Sequence, residues 1–404
     1  MLAVEEKLRV LFTNFHRGNG GGHDTYVINL LAGLVQWHEV TVATPRTSRL
    51  FRLASGRAGV KVAAVDFAPR GLCWLRELWT LWRLISLGRF DIIHVNGSAD
   101  HKLVMLVRLV ALHRPRIVYT KHNDHRSNSV GNWLRAWLGT HHVIAVSDYV
   151  ARKLHASPYR RVPVTTVSHG IDIDHFAPPA PAEADALRAR YFGAGEACAV
   201  FVSTAGTKYE KGWTDLVEAV AQLPAHLRSR TRVILAGEAP LPSMTRRVAS
   251  LGLTDQVVFT GLLDDVRSTL MAGHAAFVLS RRETLSFACR EAMAMGLPVL
   301  VSDAGGLPEN VTDGLDGWVV PCANIAALRA RLEQILSAPD RLAEMGGAAL
   351  SKSRAHFGLD TFVAGTLAVY QAALEAGVPS KPRQAALTQC PASHELPTPC
   401  RSRS

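Results

Sequence analysis

Short apolar runs alternate with longer stretches of helical period along most of this chain. Arg9 to Phe12 reads as a short buried strand, followed by a glycine-bearing loop and an amphipathic helix from Thr25 to Val35. Strand signals recur at Glu39–Ala43, Val60–Val65, Ile92–Val95, Ile117–Thr120 and Val143–Val146, with helical patterns between several of them. A second series starts at Ala199–Ser203 and continues through Val233–Ala236, Val257–Thr260, Ala276–Leu279, Val299–Ser302 and Trp318–Val320. Strands alternating with helices predict mostly parallel, doubly wound sheets, here an α/β chain of two Rossmann-like domains.

The 404 residues are too many for one ordinary core, which agrees with two units. The pattern divides as an N-terminal domain over 1–175, a linker over 176–195 marked by Pro178, Pro179 and Pro181, and a C-terminal domain over 196–352. A helix over 353–378 is expected to pack back toward the first domain. The Pro/Ser-rich tail over 379–404 has almost no core-forming residues and is expected to be disordered.

Composition sharpens this only where it is uneven. The start of the chain lacks a basic stretch followed by an apolar one, and no apolar run reaches the length of a membrane span. The six cysteines have no metal-ligand spacing, and a reducing, cytoplasmic setting is the simplest expectation. Residues 1–170 carry 23 Lys/Arg against 10 Asp/Glu, and the other 234 residues 22 against 24, so the net charge of +11 divides into +13 and −2. A basic N-terminal half implies an anionic partner: a phospholipid surface, an anionic glycolipid or nucleic acid.

The chemistry concentrates in a few places. Ser280–Pro298 reads as loop, helix and stop after a strand, with Glu283 in the loop and Glu291 about a turn into the helix. Two carboxylates flanking a helix N-terminus at a sheet's carboxyl edge suit a ligand with hydroxyls at both ends and phosphate between, as in a nucleotide-sugar. The loop Phe15–Val27, with Gly18 and Gly20 to Gly22, departs from the dinucleotide spacing because His23 stands where a third glycine would. It also lacks the Lys-Ser/Thr of a P-loop. Its glycines would still let backbone N–H groups approach a diphosphate. Lys208 and Lys211 follow the first strand of the second domain, where ammonium groups can neutralise a leaving diphosphate. The Trp-rich stretch Leu72–Ile85 is helical in period. Its plain role is packing on the first domain, and a partly exposed Trp edge would serve a membrane.

The order of these pieces resembles the family-4 retaining glycosyltransferases of the GT-B fold, over roughly residues 8–375. The resemblance rests on Gly21-Gly22, Thr120-Lys-His122, Val167–Asp172 with Phe176, Glu210-Lys-Gly212, Thr260-Gly261, Glu283-x7-Glu291 and Gly305–Glu309. It implies that Glu291 holds the ribose hydroxyls and that Glu283 contacts the donor sugar, helped by backbone N–H groups of the Leu285, Ser286 and Phe287 turn. It further implies Lys211 and Gly22, beside Gly21, at the diphosphate, His122 near the reacting sugar, and base contacts near Gly237 and Gly261. Two positions depart from the family. Gly206 stands where an arginine is usual, with Lys208 as a candidate replacement, and Thr284 stands where a glycine commonly follows the first glutamate.

The expected activity is therefore transfer from a nucleotide-sugar donor to an anionic glycolipid or lipid-linked glycan of lipopolysaccharide type. The setting is the inner face of the cytoplasmic membrane, with peripheral association, no metal or other cofactor, and no nucleic acid. A nucleotide-sugar epimerase or phosphorylase-like enzyme of the same fold is a rival. So is a non-catalytic binder of anionic polymer, which leaves the carboxylate pair unexplained.

Overall fold

The structure, a computed structural model, describes residues 7–18, 21–67, 73–125, 127–193 and 198–376. The expected disordered tail over 379–404 lies outside the described residues, as do Asn19 and Gly20 of the glycine loop.

The first unit runs β1 (Arg9–Thr13), α1 (Gly22–Leu34), β2 (Glu39–Thr44), α2 (Arg49–Ser55), β3 (Val60–Ala64) and α3 (Cys73–Gly88). It continues with β4 (Ile92–Val95), α4 (Ser98–Val110), β5 (Arg116–Lys121), α5 (Val130–Leu138), β6 (His142–Ala145), α6 (Asp148–His155) and β7 (Val164–Thr166). All seven strands pair in parallel, in the order β3-β2-β1-β4-β5-β6-β7. Strands such as Ile92–Val95 and His142–Ala145 are buried along their whole length, because helices cover both faces of a parallel sheet.

The second unit opens with α7 (Pro181–Phe192), β8 (Ala199–Ser203), α8 (Trp213–Ala221), α9 (Ala225–Arg228), β9 (Thr231–Ala236) and α10 (Pro242–Ser250). Next come β10 (Val257–Gly261), α11 (Arg267–Met271), β11 (Ala275–Val278), α12 (Phe287–Ala294), β12 (Val299–Ser302) and β13 (Gly317–Val320). Three helices end it: α13 (Ile325–Ser337), α14 (Asp340–His356) and α15 (Leu359–Glu375). Its six parallel strands take the order β10-β9-β8-β11-β12-β13, with an apolar core on each face of the sheet.

Two boundaries differ from the sequence reading. The segment 176–195 contains a twelve-residue helix, α7, rather than a bare linker. Pro181 sits in the first turn, where its missing N–H costs nothing, and the Ala-rich run behind it favours helix. Leu187, Tyr191 and Phe192 of α7 pack on the second unit's core. The boundary at 352 falls inside α14, which ends at His356. The chain returns to the first unit at Phe357–Gly358, where Ile171 N–H donates to the Phe357 carbonyl at 2.8 Å and Ile171 bridges Gly358. The two crossings between units thus lie side by side. Beyond them Phe362, Val369 and Tyr370 of α15 enter the core of the first unit.

Each sheet reverses its strand order once, between β1 and β4 and between β8 and β11. Loops at such a reversal diverge and leave a crevice at the carboxyl edge. The loops after β1, β4, β8 and β11 carry Gly21–Gly22, Asn96, Lys211 and Glu283, so both crevices hold residues singled out by pattern.

Candidate active site

The two crevices face one another across a cleft of about 400 Å³. The first unit lines it with Gly21, Gly22, His23, His122, Val146 and His169; the second adds Thr204, Ala205, Lys211, Glu283, Thr284, Ser286, Phe287 and Ala288. Seven residues expected at the site therefore meet here: Gly21, Gly22, His122, Lys211, Glu283, Ser286 and Phe287. The Phe287 ring lies 3.5 Å from the point where a side chain on Gly22 would begin, so α12 and the glycine loop abut.

Lys211 Nζ donates to Glu283 Oε2 at 3.1 Å, and Glu283 Oε1 accepts from the Thr284 N–H at 3.1 Å. Both Glu283 oxygens thus have protein partners, and the ammonium is held beside this carboxylate. The loop carrying them rests on Gly305 and Gly306. A Cβ on either would come within 1.9 Å of the Glu283 carbonyl oxygen or 2.0 Å of that of Thr284, which is why no larger residue fits there. Ser286, at φ 92, adopts a backbone conformation rare for a residue with a side chain, and its hydroxyl caps α12 by accepting from Cys289 N–H.

Glu291 lies one turn into α12, half-buried, and its carboxylate has no partner among the described residues. Burial alone pushes it up to about 7, since a desolvated carboxyl prefers its proton. Leu285 is fully buried and can serve only through its backbone; its carbonyl accepts from Asn310 Nδ2 at 2.6 Å. Gly237 sits against the β8 loop: a side chain there would lie 2.8 Å from Gly206 Cα, and Gly237 N–H donates to the Gly261 carbonyl at 3.0 Å. Gly206, Gly237 and Gly261, at the carboxyl ends of β8, β9 and β10, thus lie together just beyond the residues that line the cleft. Lys208 is exposed and outside the lining. It stands just before the single turn Tyr209–Lys211.

On the first unit's wall the imidazoles are uncharged. Burial pushes His23 down to about 3, with the neighbouring His16 adding to it, and burial drives His122 and His169 well below the usual histidine range. His122 Nε2 lies 2.9 Å from Asn96 Oδ1. The Asn96 amide is oriented by its Nδ2, which donates to the Thr13 carbonyl at 3.1 Å, so Oδ1 is the acceptor and His122 carries its proton on Nε2. The rings of His23 and Tyr26 lie 4.4 and 4.5 Å from that of His122. Among the described residues no group of three His, Cys, Asp or Glu side chains is arranged to hold a metal ion.

Contacts across the cleft include several that sequence reasoning missed. Thr284 Oγ1 donates to the His122 carbonyl at 2.8 Å, and Arg282 pairs with Asp124 at 2.6 Å. Glu309 accepts from the N–H groups of Asp148 and Tyr149 at 2.8 and 2.7 Å, capping α6 of the opposite unit. Buried Arg290 joins Asn310 to the His169 carbonyl. Glu309 lay within a recognised motif, and Asn96 closes an apolar strand before a glycine. Neither signal names a partner in the other half of the chain.

Residues 20–175 match the family described as Glycosyltransferase Family 4, and residues 193–352 match Glycosyl transferases group 1. The chain belongs to the family-4 glycosyltransferases of GT-B fold. It is thus an enzyme that transfers a sugar. A lipopolysaccharide core biosynthesis mannosyltransferase, LpcC, of Rhizobium leguminosarum bv. viciae is 26% identical over 328 residues, 79% of this chain and 89% of that protein. The GDP-mannose-dependent alpha-(1-6)-phosphatidylinositol monomannoside mannosyltransferase of Mycolicibacterium smegmatis is 29% identical over 359 residues, covering 83% and 91%. Among solved structures, Anabaena HepE in complex with UDP superposes with a TM-score of 0.77 at 20% identity, over 89% of this chain and 100% of that one. A Rickettsia africae glycosyltransferase gives 0.78 at 18% identity, over 92% and 99%.

Proposed function

We propose that this glycosyltransferase moves a hexose, with mannose the first candidate, from a nucleotide-sugar to a lipid-linked anionic glycan of lipopolysaccharide type, with retention at the anomeric carbon. The observation that carries the donor half is the Lys211–Glu283 pair opposite Gly21–Gly22, with the unpartnered Glu291 carboxylate one turn into α12. Glu291 would accept the ribose hydroxyls, Lys211 and the glycine-loop N–H groups would take the diphosphate, and Glu283 would orient the sugar. The mannosyl donor and glycolipid acceptor are suggested by what LpcC and the mycobacterial relative are named for.

Retention is proposed as a front-face displacement. The bond between the anomeric carbon and the leaving phosphate oxygen breaks as the acceptor oxygen bonds on the same face, and the acceptor's proton passes to that phosphate oxygen. Glu283 is the one carboxylate among the cleft-lining residues, and both of its oxygens are engaged, which argues against its serving as a nucleophile. With Lys211 and backbone N–H groups answering the diphosphate charge, the reading requires no metal, and transfer should persist in EDTA. The reaction is placed at the inner face of the cytoplasmic membrane, and no helix of the described residues is long and apolar enough to cross one.

A thermal-shift screen with GDP, UDP, ADP and CMP tests the donor site first, since a nucleotide that binds only the folded protein raises its melting temperature. Stabilisation by GDP, followed by transfer from GDP-mannose with an α-configured product by NMR, is the expected result. Stabilisation by none of the four overturns the donor site, and a β-configured product overturns retention.

A further inference from the structure

The first unit's excess positive charge does not line the cleft. None of its six lining residues is Lys or Arg. Residues 73–161 instead carry 14 Lys/Arg against 5 Asp/Glu, a surplus of 9 out of the 13 found in residues 1–170. This stretch supplies α3, α4 and α5, which pack side by side in that order and themselves carry Arg76, Arg83, Lys102, Arg108 and Arg135 against Glu77 and Asp100, the rest of the surplus lying in the segments between and after them. Each turns one side inward, burying Leu81 and Ile85, Leu103 and Val107, and Ala136.

Their outer sides are apolar instead of polar. Of the 19 exposed large apolar side chains among the described residues, 13 lie on or just after these helices. They include Trp79 at 57% exposure, Trp137 at 77%, Val110 at 70% and Leu112 at 80%. Arginines stand among them: Arg83 lies over the Trp79 ring at 5.6 Å, and Arg161 over Trp133 at 4.9 Å. A face so rich in exposed Trp and Leu marks an interaction site. A protein partner or second copy would need acidic groups spaced to meet the arginines, whereas a bilayer of anionic lipids offers an apolar interior beneath a uniform negative surface. Indoles and guanidinium groups are the side chains that settle at that boundary.

We propose that the outer face of α3, α4 and α5 docks the protein on an anionic phospholipid bilayer, with Trp79, Trp133 and Trp137 inserted at headgroup depth. The chain links this face to the cleft over a short segment, since α5 begins at Val130, eight residues beyond the cleft-lining His122. Docking would present the cleft to a lipid-linked acceptor. In that purpose it rests on the function proposed above, although the binding itself does not depend on catalysis.

The test is co-sedimentation of the full chain with vesicles of phosphatidylcholine alone or mixed with phosphatidylglycerol, at rising salt. Binding is expected only to the mixed vesicles, weakening as salt screens the arginines. Trp79→Asp with Trp137→Asp should abolish it. Arg83→Gln with Arg161→Gln should weaken it by about fivefold for each cation removed. These exposed substitutions should leave the nucleotide-induced thermal shift intact, which separates failure of docking from failure of the donor site. No sedimentation with anionic vesicles, or sedimentation unchanged in the Trp variant, overturns the proposal. So does a dimer of the native protein that the Trp variant converts to monomer by light scattering without any vesicle binding.

Discussion

Closure of the cleft should depend on Glu309, and the structure supplies the magnitude. The four N–H groups opening α6 are all satisfied: Val150 by the Ser147 hydroxyl, Ala151 by the Ser147 carbonyl, and Asp148 and Tyr149 by the Glu309 carboxylate. Only the last two depend on the opposite unit. Hydrogen bonds to a charged partner are worth about 1.5–3 kcal/mol each, and the low end suits a carboxylate that retains 27% exposure. Arg152, 4.0 Å away and 69% exposed, adds little. Glu309→Ala should therefore disfavour the closed form by about 3 kcal/mol, roughly 150-fold in the closed-to-open ratio. Glu309→Gln keeps one accepting oxygen, turns an amide N–H toward the other donor, and should cost about 2 kcal/mol, or roughly 30-fold. When open, α6 recovers its hydrogen bonds from water, so the loss falls on closure and spares the fold. Small-angle scattering with saturating nucleotide should show a larger radius of gyration for Glu309→Ala. Its kcat/KM for transfer should drop by up to the same factor, while the melting temperature without ligand stays near that of the native protein. A variant with native kcat/KM and native scattering would refute the assignment of closure to this cap.

Four further outcomes are expected. Glu291 has its pKa raised in the folded protein, so below the unfolded carboxyl range it costs nothing, and stability is lost as pH rises toward about 7. Glu291→Gln should thus stabilise the free protein at pH 8 by at most about 3 kcal/mol, with no gain at pH 4, in denaturant melts; it should also abolish the nucleotide-induced shift. Because ribose hydroxyls donate to the ionised carboxylate, nucleotide binding to the native protein should tighten between pH 6 and pH 8 and release a proton, read by calorimetry in buffers of different ionisation enthalpy. Lys211→Met should weaken diphosphate binding by about 10- to 100-fold while scarcely changing the affinity for the bare nucleoside, measured by titration calorimetry. Gly206→Ala should destabilise the fold by about 1–2 kcal/mol in thermal melts: φ there is +96°, although a methyl group would meet nothing within 4 Å.

The parts of the fold that were legible in the sequence are those where one local signal fixes the outcome. Short, mostly apolar β-branched runs such as Ile92–Val95 and Val299–Ser302 read as buried strands in a chain that alternates them with helices. The short β7, with two of its three residues exposed, left no apolar signature and was not foreseen. Prolines mark the linker but do not exclude a helix within it, and Pro181 starts α7. At the site, Lys211 and Glu283 could be named from position in their loops, but their direct pairing depends on how the β8 and β11 loops converge. Glu309 and Thr284 act on the other half of the chain, and the spacing of one segment carries no information about the distance to another.

The excess charge implies an anionic partner for the first unit without saying where on it that partner sits. None of the charge lines the cleft, whose wall on that side is Gly21, Gly22, three uncharged histidines and Val146. Desolvation forbids any other arrangement: an imidazolium held where His122 sits would lose its hydration without a carboxylate in contact, and the neighbouring rings offer no compensating charge. With Nε2–H committed to Asn96, His122 keeps Nδ1 as a lone pair, and a lone pair accepts a sugar hydroxyl without transferring a proton. Under the function proposed above, a wall of this kind would hold an acceptor by shape and hydroxyl pairing and leave the reaction's charge to Lys211 and the departing phosphate. The attraction for anions is thereby moved out to exposed groups such as Arg83 and Arg161, where guanidinium groups remain in water and carry little desolvation cost.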